Sequence, residues 1–261
     1  MAHDPKDHRH TEHDHDHDHA HYHDHDHHHS HDGDHHHWHS QAYVDGWIAR
    51  EASRQGERRP FFDRLVAAVP FAREAAIEVL DVGGGSGAVS HAVLQAFPRA
   101  RITLVDYSQP MIERAKKTFA ARTGQFRFVL CDLREPAFEA AVGGPFDLAV
   151  SGIAIHNLND MAAIAACYQA VRRLIKPCGC FLDYDHFDRV GGVPLHQYTL
   201  KVAGFAQVET IWHQFPGAVV KADASARPWW TAAATPKLQP ASHDFPRHAT
   251  RLEGVSCSPA L

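Results

Sequence analysis

The chain has 261 residues, 44% of them apolar and 22% charged, with a net charge of −5 when histidine is neutral. No apolar stretch approaches the ~18 residues of a membrane span, and none follows Met1 as a secretory leader would, so the sequence predicts a soluble, cytoplasmic protein with no membrane partner. Residues 1–40 carry ten acids against Lys6 and Arg9, a balance of −8 that leaves only +3 on the remainder, too small an excess to favour nucleic acid as a partner.

In chain order, the first element is a tract and not a fold. Eighteen of the 25 histidines lie in residues 1–39, interleaved with Asp and almost free of aliphatic side chains. Such a stretch buries too little apolar surface to offset its ordering entropy, which predicts a disordered tail over 1–40. Its alternation, His13-Asp14-His15-Asp16-His17-Asp18-His19, offers imidazole and carboxylate ligands at high density. His13, His15, His17 and His19 are thus candidate ligands for Zn(II), Ni(II) or Cu(II). A simple affinity tag would be an uninterrupted histidine run.

Two helices follow, Ala42 to Arg54 and Pro60 to Val69, and then strand-like and helix-like stretches alternate. The expected strands are 78–82, 101–106, 126–131, 146–151, 179–185, 207–213 and 217–222. Between the first two, Val89, Ala92, Val93, Ala96 and Phe97 recur at helical spacing until Pro98. Ser108 is a suitable N-cap, with Pro110 in the first turn and Met111, Ile112, Ala115 and Phe119 as the buried stripe. Asn159 or Asp160 caps a helix running toward Pro177, and a short helix from Pro194 to Ala203 stops at Gly204. The alternation predicts a doubly wound α/β domain over 41–223. Residues 224–261 show no periodicity and read as a flexible tail. The five cysteines are odd in number and lack zinc-type C-x-x-C spacing; Cys178-Gly179-Cys180 could form a redox pair, but two cysteines entering a buried strand read rather as small apolar fillers.

The most informative stretch is Val79-Leu80-Asp81-Val82-Gly83-Gly84-Gly85-Ser86-Gly87. A buried strand runs into a glycine turn that lets backbone approach a ligand, and Asp106 stands at the end of the next strand, where a carboxylate suits paired ribose hydroxyls. Dinucleotide folds share this plan but favour G-x-G-x-x-G, whereas this chain has D-x-G-x-G-x-G. That form resembles motif I of the class I S-adenosylmethionine-dependent methyltransferases. Further segments are similar in the family's order over residues 41–222: Val105 to Ile112, Phe128 to Leu133, Phe146 to Leu158, Leu174 to Gly179, and Ala203 to Trp212.

The resemblance implies a Rossmann-like seven-stranded sheet with an antiparallel last strand, lid helices before it, S-adenosylmethionine as cofactor and a small-molecule acceptor. It implies cofactor contacts at Asp81, Gly83, Gly84, Gly85, Asp106, Met111, Asp132, Leu133 and Ser151. Asp81 would lie near the methionine ammonium, Asp106 on the ribose and Asp132 on the adenine. His156, on the loop after the fourth strand, is the candidate general base, and Asp185, with His186 beside it, could also reach the acceptor. Each has a plainer alternative as a backbone-bonded structural residue or a capped strand end. Ser151-Gly152-Ile153-Ala154 replaces the D-P-P-Y segment of base-modifying relatives, which disfavours methylation of nucleic acid bases. Arg50, Arg54, Arg58 and Arg59 read as a solvated face that an anionic acceptor would put to use. A different class of function stays open beside the enzyme: a metal-buffering protein on a degenerate methyltransferase scaffold.

Overall fold

The computed structural model describes residues 37–53 and 55–225. His13, His15, His17 and His19, the rest of the tract through His36, and the carboxyl-terminal segment from residue 226 lie outside the described residues.

Seven strands form one sheet: β1 (Glu78–Val82), β2 (Arg101–Asp106), β3 (Phe126–Leu130), β4 (Phe146–Gly152), β5 (Ile175–Asp185), β6 (Gln207–Gln214) and β7 (Gly217–Asp223). Their order is β3-β2-β1-β4-β5-β7-β6. β1 to β5 pair in parallel, and β7 is antiparallel to both β5 and β6. The order reverses between β1 and β4, where an open α/β sheet leaves a crevice at the carboxyl ends of its strands. Strand periodicity divides the core in two. Leu80, Val82, Ala149 and Phe181 face one helical layer, and Val79, Leu104, Val150 and Leu182 face the other.

The helices are α1 (Gln41–Ser53), α2 (Gln55–Ala67), α3 (Ala88–Ala96), α4 (Gln109–Thr118), α5 (Phe138–Val142), α6 (Met161–Leu174) and α7 (Gly192–Val202). Ser108 caps α4 as its sequence predicts, accepting from the Met111 amide at 3.3 Å. Of the two candidate caps for α6, Asp160 is used, accepting from the amides of Ala162 (3.2 Å) and Ala163 (3.0 Å). Asn159 instead takes a left-handed conformation at the end of the preceding 3-10 turn.

Three boundaries differ from the sequence expectation. α2 starts at Gln55, ahead of Pro60, so Pro60 sits inside the helix and not at its first turn. α5 has only five residues, too few for a periodic signal. α6 stops at Leu174, and Pro177 lies within β5, which starts at Ile175. The β4–β5 register explains the last difference: Phe146 pairs with Ile175 but Leu148 with Cys180, a bulge that accommodates a proline lacking an amide donor. Gly179 belongs to the same irregularity, since a Cβ there would come within 2.6 Å of the Asp147 carbonyl oxygen.

Candidate active site

The glycine turn joins three strand ends. Gly83, Gly85 and Gly87 all have positive φ, at 64°, 54° and 89°. Gly84 donates its amide to the Val105 carbonyl at 3.0 Å, and Gly85 donates to Asp106 Oδ2 at 2.9 Å, which fastens the turn after β1 to the end of β2. A Cβ at Gly83 would come within 2.6 Å of the Ala154 Cβ, so only glycine lets the turn approach the loop after β4 this closely. These contacts build the walls of a cleft of about 910 Å³, counted with its mouth, at the switch point of the sheet.

Asp81, Gly83, Gly84, Gly85, Asp106, Met111, Asp132 and Leu133 all line this cleft. Ser151 does not: it is fully buried in β4 opposite Asp183, and the wall is made by the next residues, Gly152, Ile153 and Ala154. The alternation of a strand sends Ser151 into the sheet's other layer.

The three acids differ in electrostatics. Asp81 is fully buried; its Oδ2 accepts from the Ser90 amide at 3.2 Å and the Ser90 hydroxyl at 2.5 Å, while Oδ1 has no partner among the described residues. Burial pushes its carboxyl up to about 7, against the two Ser90 bonds. Asp106 is pushed up to about 6 by burial, although Oδ1 accepts from the Ser108 amide at 2.8 Å and Oδ2 from Gly85. Asp132 is only partly buried. Desolvation raises its carboxyl, but the Arg134 guanidinium, at 3.0 Å, and the Arg134 amide, at 2.9 Å, outweigh that and hold it below the usual range.

Several lining residues were not among the expected site residues: Trp47 of α1, Arg58 of α2 (expected on a solvated face but mostly buried), Tyr107, Asn157 and, before α1, Trp38. Trp38 falls inside the segment expected to be tail. Its carbonyl accepts from the Ser108 hydroxyl, and its ring meets Tyr43 and Trp47 edge-on, at 5.2 and 5.4 Å between centroids. His39 in turn meets Tyr107 edge-on at 4.9 Å. Residues 38 and 39, expected within the tail, thus pack against the body: the Trp38 indole lines the cleft and the His39 imidazole meets Tyr107.

His156 and Asp185 come together as a buried pair. His156 Nδ1 hydrogen-bonds to Asp185 Oδ1, and the His156 amide donates to Oδ2 at 2.9 Å. The His186 amide donates to Oδ1 at 2.8 Å. Burial works against the Asp185 charge, yet the bonds and charge of His156 hold its pKa below the ordinary carboxylate value. The 3-10 turn Ile155–Leu158 places Asn157 and Leu158 in the cleft wall and His156 directly behind it, 4% exposed. The His186 ring lies 5.7 Å from that of His156, tilted by 31°, and its pKa is lowered chiefly by burial.

Residues 79–179 match a family model described as a methyltransferase domain. The chain is 40% identical over 75 residues to a release factor glutamine methyltransferase of Chlorobaculum tepidum, covering 28% of this chain and 26% of that protein. It is 30% identical over 102 residues to the ubiquinone/menaquinone biosynthesis C-methyltransferase UbiE of Desulfotalea psychrophila, covering 39% and 38%. The chain thus spans well under half the length of these two curated relatives. Among solved structures it is similar in fold to an O-methyltransferase family protein from Burkholderia thailandensis, with a TM-score of 0.59, 19% identity, and coverage of 73% of this chain and 62% of that one. A TehB-like S-adenosylmethionine-dependent methyltransferase from Corynebacterium glutamicum gives a TM-score of 0.57 at 15% identity, covering 70% and 99%.

Proposed function

We propose that the chain is a class I S-adenosylmethionine-dependent methyltransferase that transfers a methyl group to a small-molecule acceptor, a reading supported by the methyltransferase-domain match over residues 79–179 and by the shared fold. The observation that carries this reading is the convergence of Asp81, the glycine turn, Asp106, Met111 and Asp132 on one cleft. The residues fit the cofactor's chemistry. Asp81 holds a buried carboxylate oxygen with no partner, in the place where an ammonium would offset its desolvation. Asp106 and Asp132 each retain lone pairs beyond those used by Gly85, Ser108 and Arg134, enough to accept from ribose hydroxyls and an adenine amino group.

When bound, the cofactor supplies a methyl group already activated on a sulfonium, so the chain's own work is positioning and, for a protic acceptor, proton removal. The candidate for proton removal is His156, which lies behind the cleft wall and not in its lining. An ionised Asp185 holds Nδ1 as the donor nitrogen, which leaves Nε2 as the basic one. Asp185 is the positioning residue of the pair.

The His/Asp tract supports a second property. Among the described residues no group of three or more His, Cys, Asp or Glu side chains is placed to hold a metal ion, so the divalent-metal reading rests on the sequence of His13, His15, His17 and His19 and their neighbours. Calorimetry of the full chain with S-adenosylhomocysteine, NAD and Zn(II) tests both properties. Binding of S-adenosylhomocysteine but not NAD, followed by transfer of a labelled methyl group into a metabolite pool, is the expected result. Zinc affinity with no affinity for S-adenosylhomocysteine would point to the metal-buffering scaffold instead.

A further inference from the structure

Asp183, Tyr168 and His196 are titratable, fully buried and outside the cleft lining, and the chemistry described so far makes no use of them. They form a row that joins three elements. Asp183 Oδ2 of β5 lies 3.2 Å from the Tyr168 hydroxyl of α6, and that hydroxyl lies 2.8 Å from His196 Nδ1 of α7. His196 Nε2 lies 2.7 Å from the Val190 carbonyl.

These contacts fix the number of protons in the row. The Val190 carbonyl only accepts, so Nε2 carries a hydrogen. With a neutral imidazole, Nδ1 accepts the single hydroxyl hydrogen of Tyr168, and the contact between Tyr168 and Asp183 then needs a proton from the carboxyl. If Tyr168 instead donates to Asp183, Nδ1 needs a proton of its own and the ring is an imidazolium. Both arrangements hold one proton more than a carboxylate, a phenol and a neutral imidazole, and both are neutral overall. Removing that proton would set two lone pairs against each other inside the core.

The surroundings put the proton on Asp183. Its Oδ1 has no partner among the described residues, so an ionised Asp183 would be a fully buried carboxylate with one hydrogen bond. Asp81 also has a bare oxygen, but it lines the cleft, where a ligand reaches it, and Asp183 does not. Asp185, two residues on, is built the opposite way and accepts from His156 Nδ1 and from the amides of His156 and His186. Asp183 faces Ser151 of β4, Cys167 and Tyr168 of α6 and Val220 of β7, with Asp185 beside it, and none of these is a fixed cation. Burial and the Asp185 charge push the Asp183 carboxyl well up, and burial pushes His196 down. Two carboxyl groups sharing a dry site divide in this way, one neutral and one ionised.

We propose that Asp183 is held as a neutral carboxylic acid at the head of this row, and that the row positions Asp185 as the single charge facing His156. Its far end shows how it acts. His196 holds the Val190 carbonyl and meets the Phe187 ring edge-on at 4.8 Å, and Phe187 follows His186, whose amide donates to Asp185. The row thus seats residues 186–190, which complete the hydrogen bonding of Asp185. Asp183 and Tyr168 are positioning residues; their use in catalysis rests on the reading of His156 as base, whereas the protonation of Asp183 does not.

Infrared spectra of the full chain at pH 8 test the protonation. The native chain should show a carboxylic acid carbonyl band that is kept in Asp81→Asn and lost in Asp183→Asn. Absence of the band from the native chain, or its survival in Asp183→Asn, overturns the proposal. Nitrogen-15 NMR of the histidine side chains tests the positioning. The Nδ1 proton of His156, identified by its loss in His156→Ala, should shift or broaden in Tyr168→Phe while affinity for S-adenosylhomocysteine stays within about twofold. An unmoved resonance, or a roughly tenfold loss of that affinity alongside the shift, overturns the positioning role. Neither spectrum needs a ligand, so a native chain that binds no S-adenosylhomocysteine would refute the methyltransferase reading and leave a neutral Asp183 standing.

Discussion

Asp81 joins stability and binding at a single carboxyl. Its proton is held up to about pH 7 in the native state but only to 3.8 as an ordinary aspartate, chiefly because burial disfavours the charge. Between those values the folded chain binds more protons than the unfolded one, so this group's contribution makes the ligand-free protein less stable as pH rises through that window. Asp81→Asn, which keeps an acceptor for Ser90, should therefore stabilise the ligand-free protein at pH 8 by on the order of 2–4 kcal/mol. The same substitution should weaken S-adenosylhomocysteine. For the native chain that affinity should rise between pH 6 and pH 8, because the ammonium pairs with the ionised form. Melting curves and titrations at the two pH values check both signs; parallel trends would contradict this account. His156→Ala should lower turnover of a protic acceptor by roughly 10²–10⁴ with little change in cofactor affinity. Asp185→Asn should lower turnover in the same direction, since an amide cannot stabilise the charged imidazole as a carboxylate does. Full turnover of His156→Ala would take proton removal away from this pair.

At the scale of elements, the turn from β1 into α3 tolerates least. Gly87 has a φ of 89° and caps α3, and a Cβ there would come within 2.3 Å of the Phe119 ring. Gly87→Ala combines left-handed strain with overpacking, and a loss of about 2–4 kcal/mol is expected from denaturant unfolding. A loss below 1 kcal/mol would mean that Phe119 moves freely. Asp160→Ala removes two amide contacts at the start of α6 and should cost about 1 kcal/mol, with cofactor affinity unchanged because α6 lies on the far side of the sheet from the lid. Ser108 has a double duty that its sequence position does not reveal. It caps α4 through its acceptor and ties Trp38 to the cleft through its donor, so a capping residue also locates the approach to the lid.

For the whole molecule, the decisive boundary runs between His36 and Trp38. Truncation through residue 36 should leave melting temperature and affinity for S-adenosylhomocysteine nearly unchanged, since that stretch has no apolar periodicity to tie it to a core. Zinc affinity should go with it, and in the full chain should weaken below about pH 6, as protonated imidazole cannot donate to a metal. Truncation through residue 39 also removes Trp38 from the cleft wall and His39 from the Tyr107 ring, and should weaken S-adenosylhomocysteine several-fold. Paired calorimetry of the two truncations checks this; indistinguishable affinities would show that the indole contributes nothing to binding.

The positions of the strands, the glycine turn and the acids at Asp81, Asp106 and Asp132 were legible in the sequence because each depends on local periodicity, on a conformation that favours glycine, or on a position at a strand's end; the order of the strands in the sheet was not. The helix boundaries at Gln55 and Leu174 were not, because tertiary pairing overrode the punctuation of Pro60 and Pro177. Neither was the difference between Asp81, open to a ligand at Oδ1, and Asp132, engaged by Arg134, since both read alike as acids after strands. The joining of His156 to Asp185 across 29 positions, the withdrawal of Ser151 into the sheet and the arrival of Trp38, Trp47 and Arg58 over the cleft were decided only by the tertiary structure. Sequence periodicity sets which side of an element is buried; which side chains then meet across a cleft depends on the packing of elements far apart in the chain.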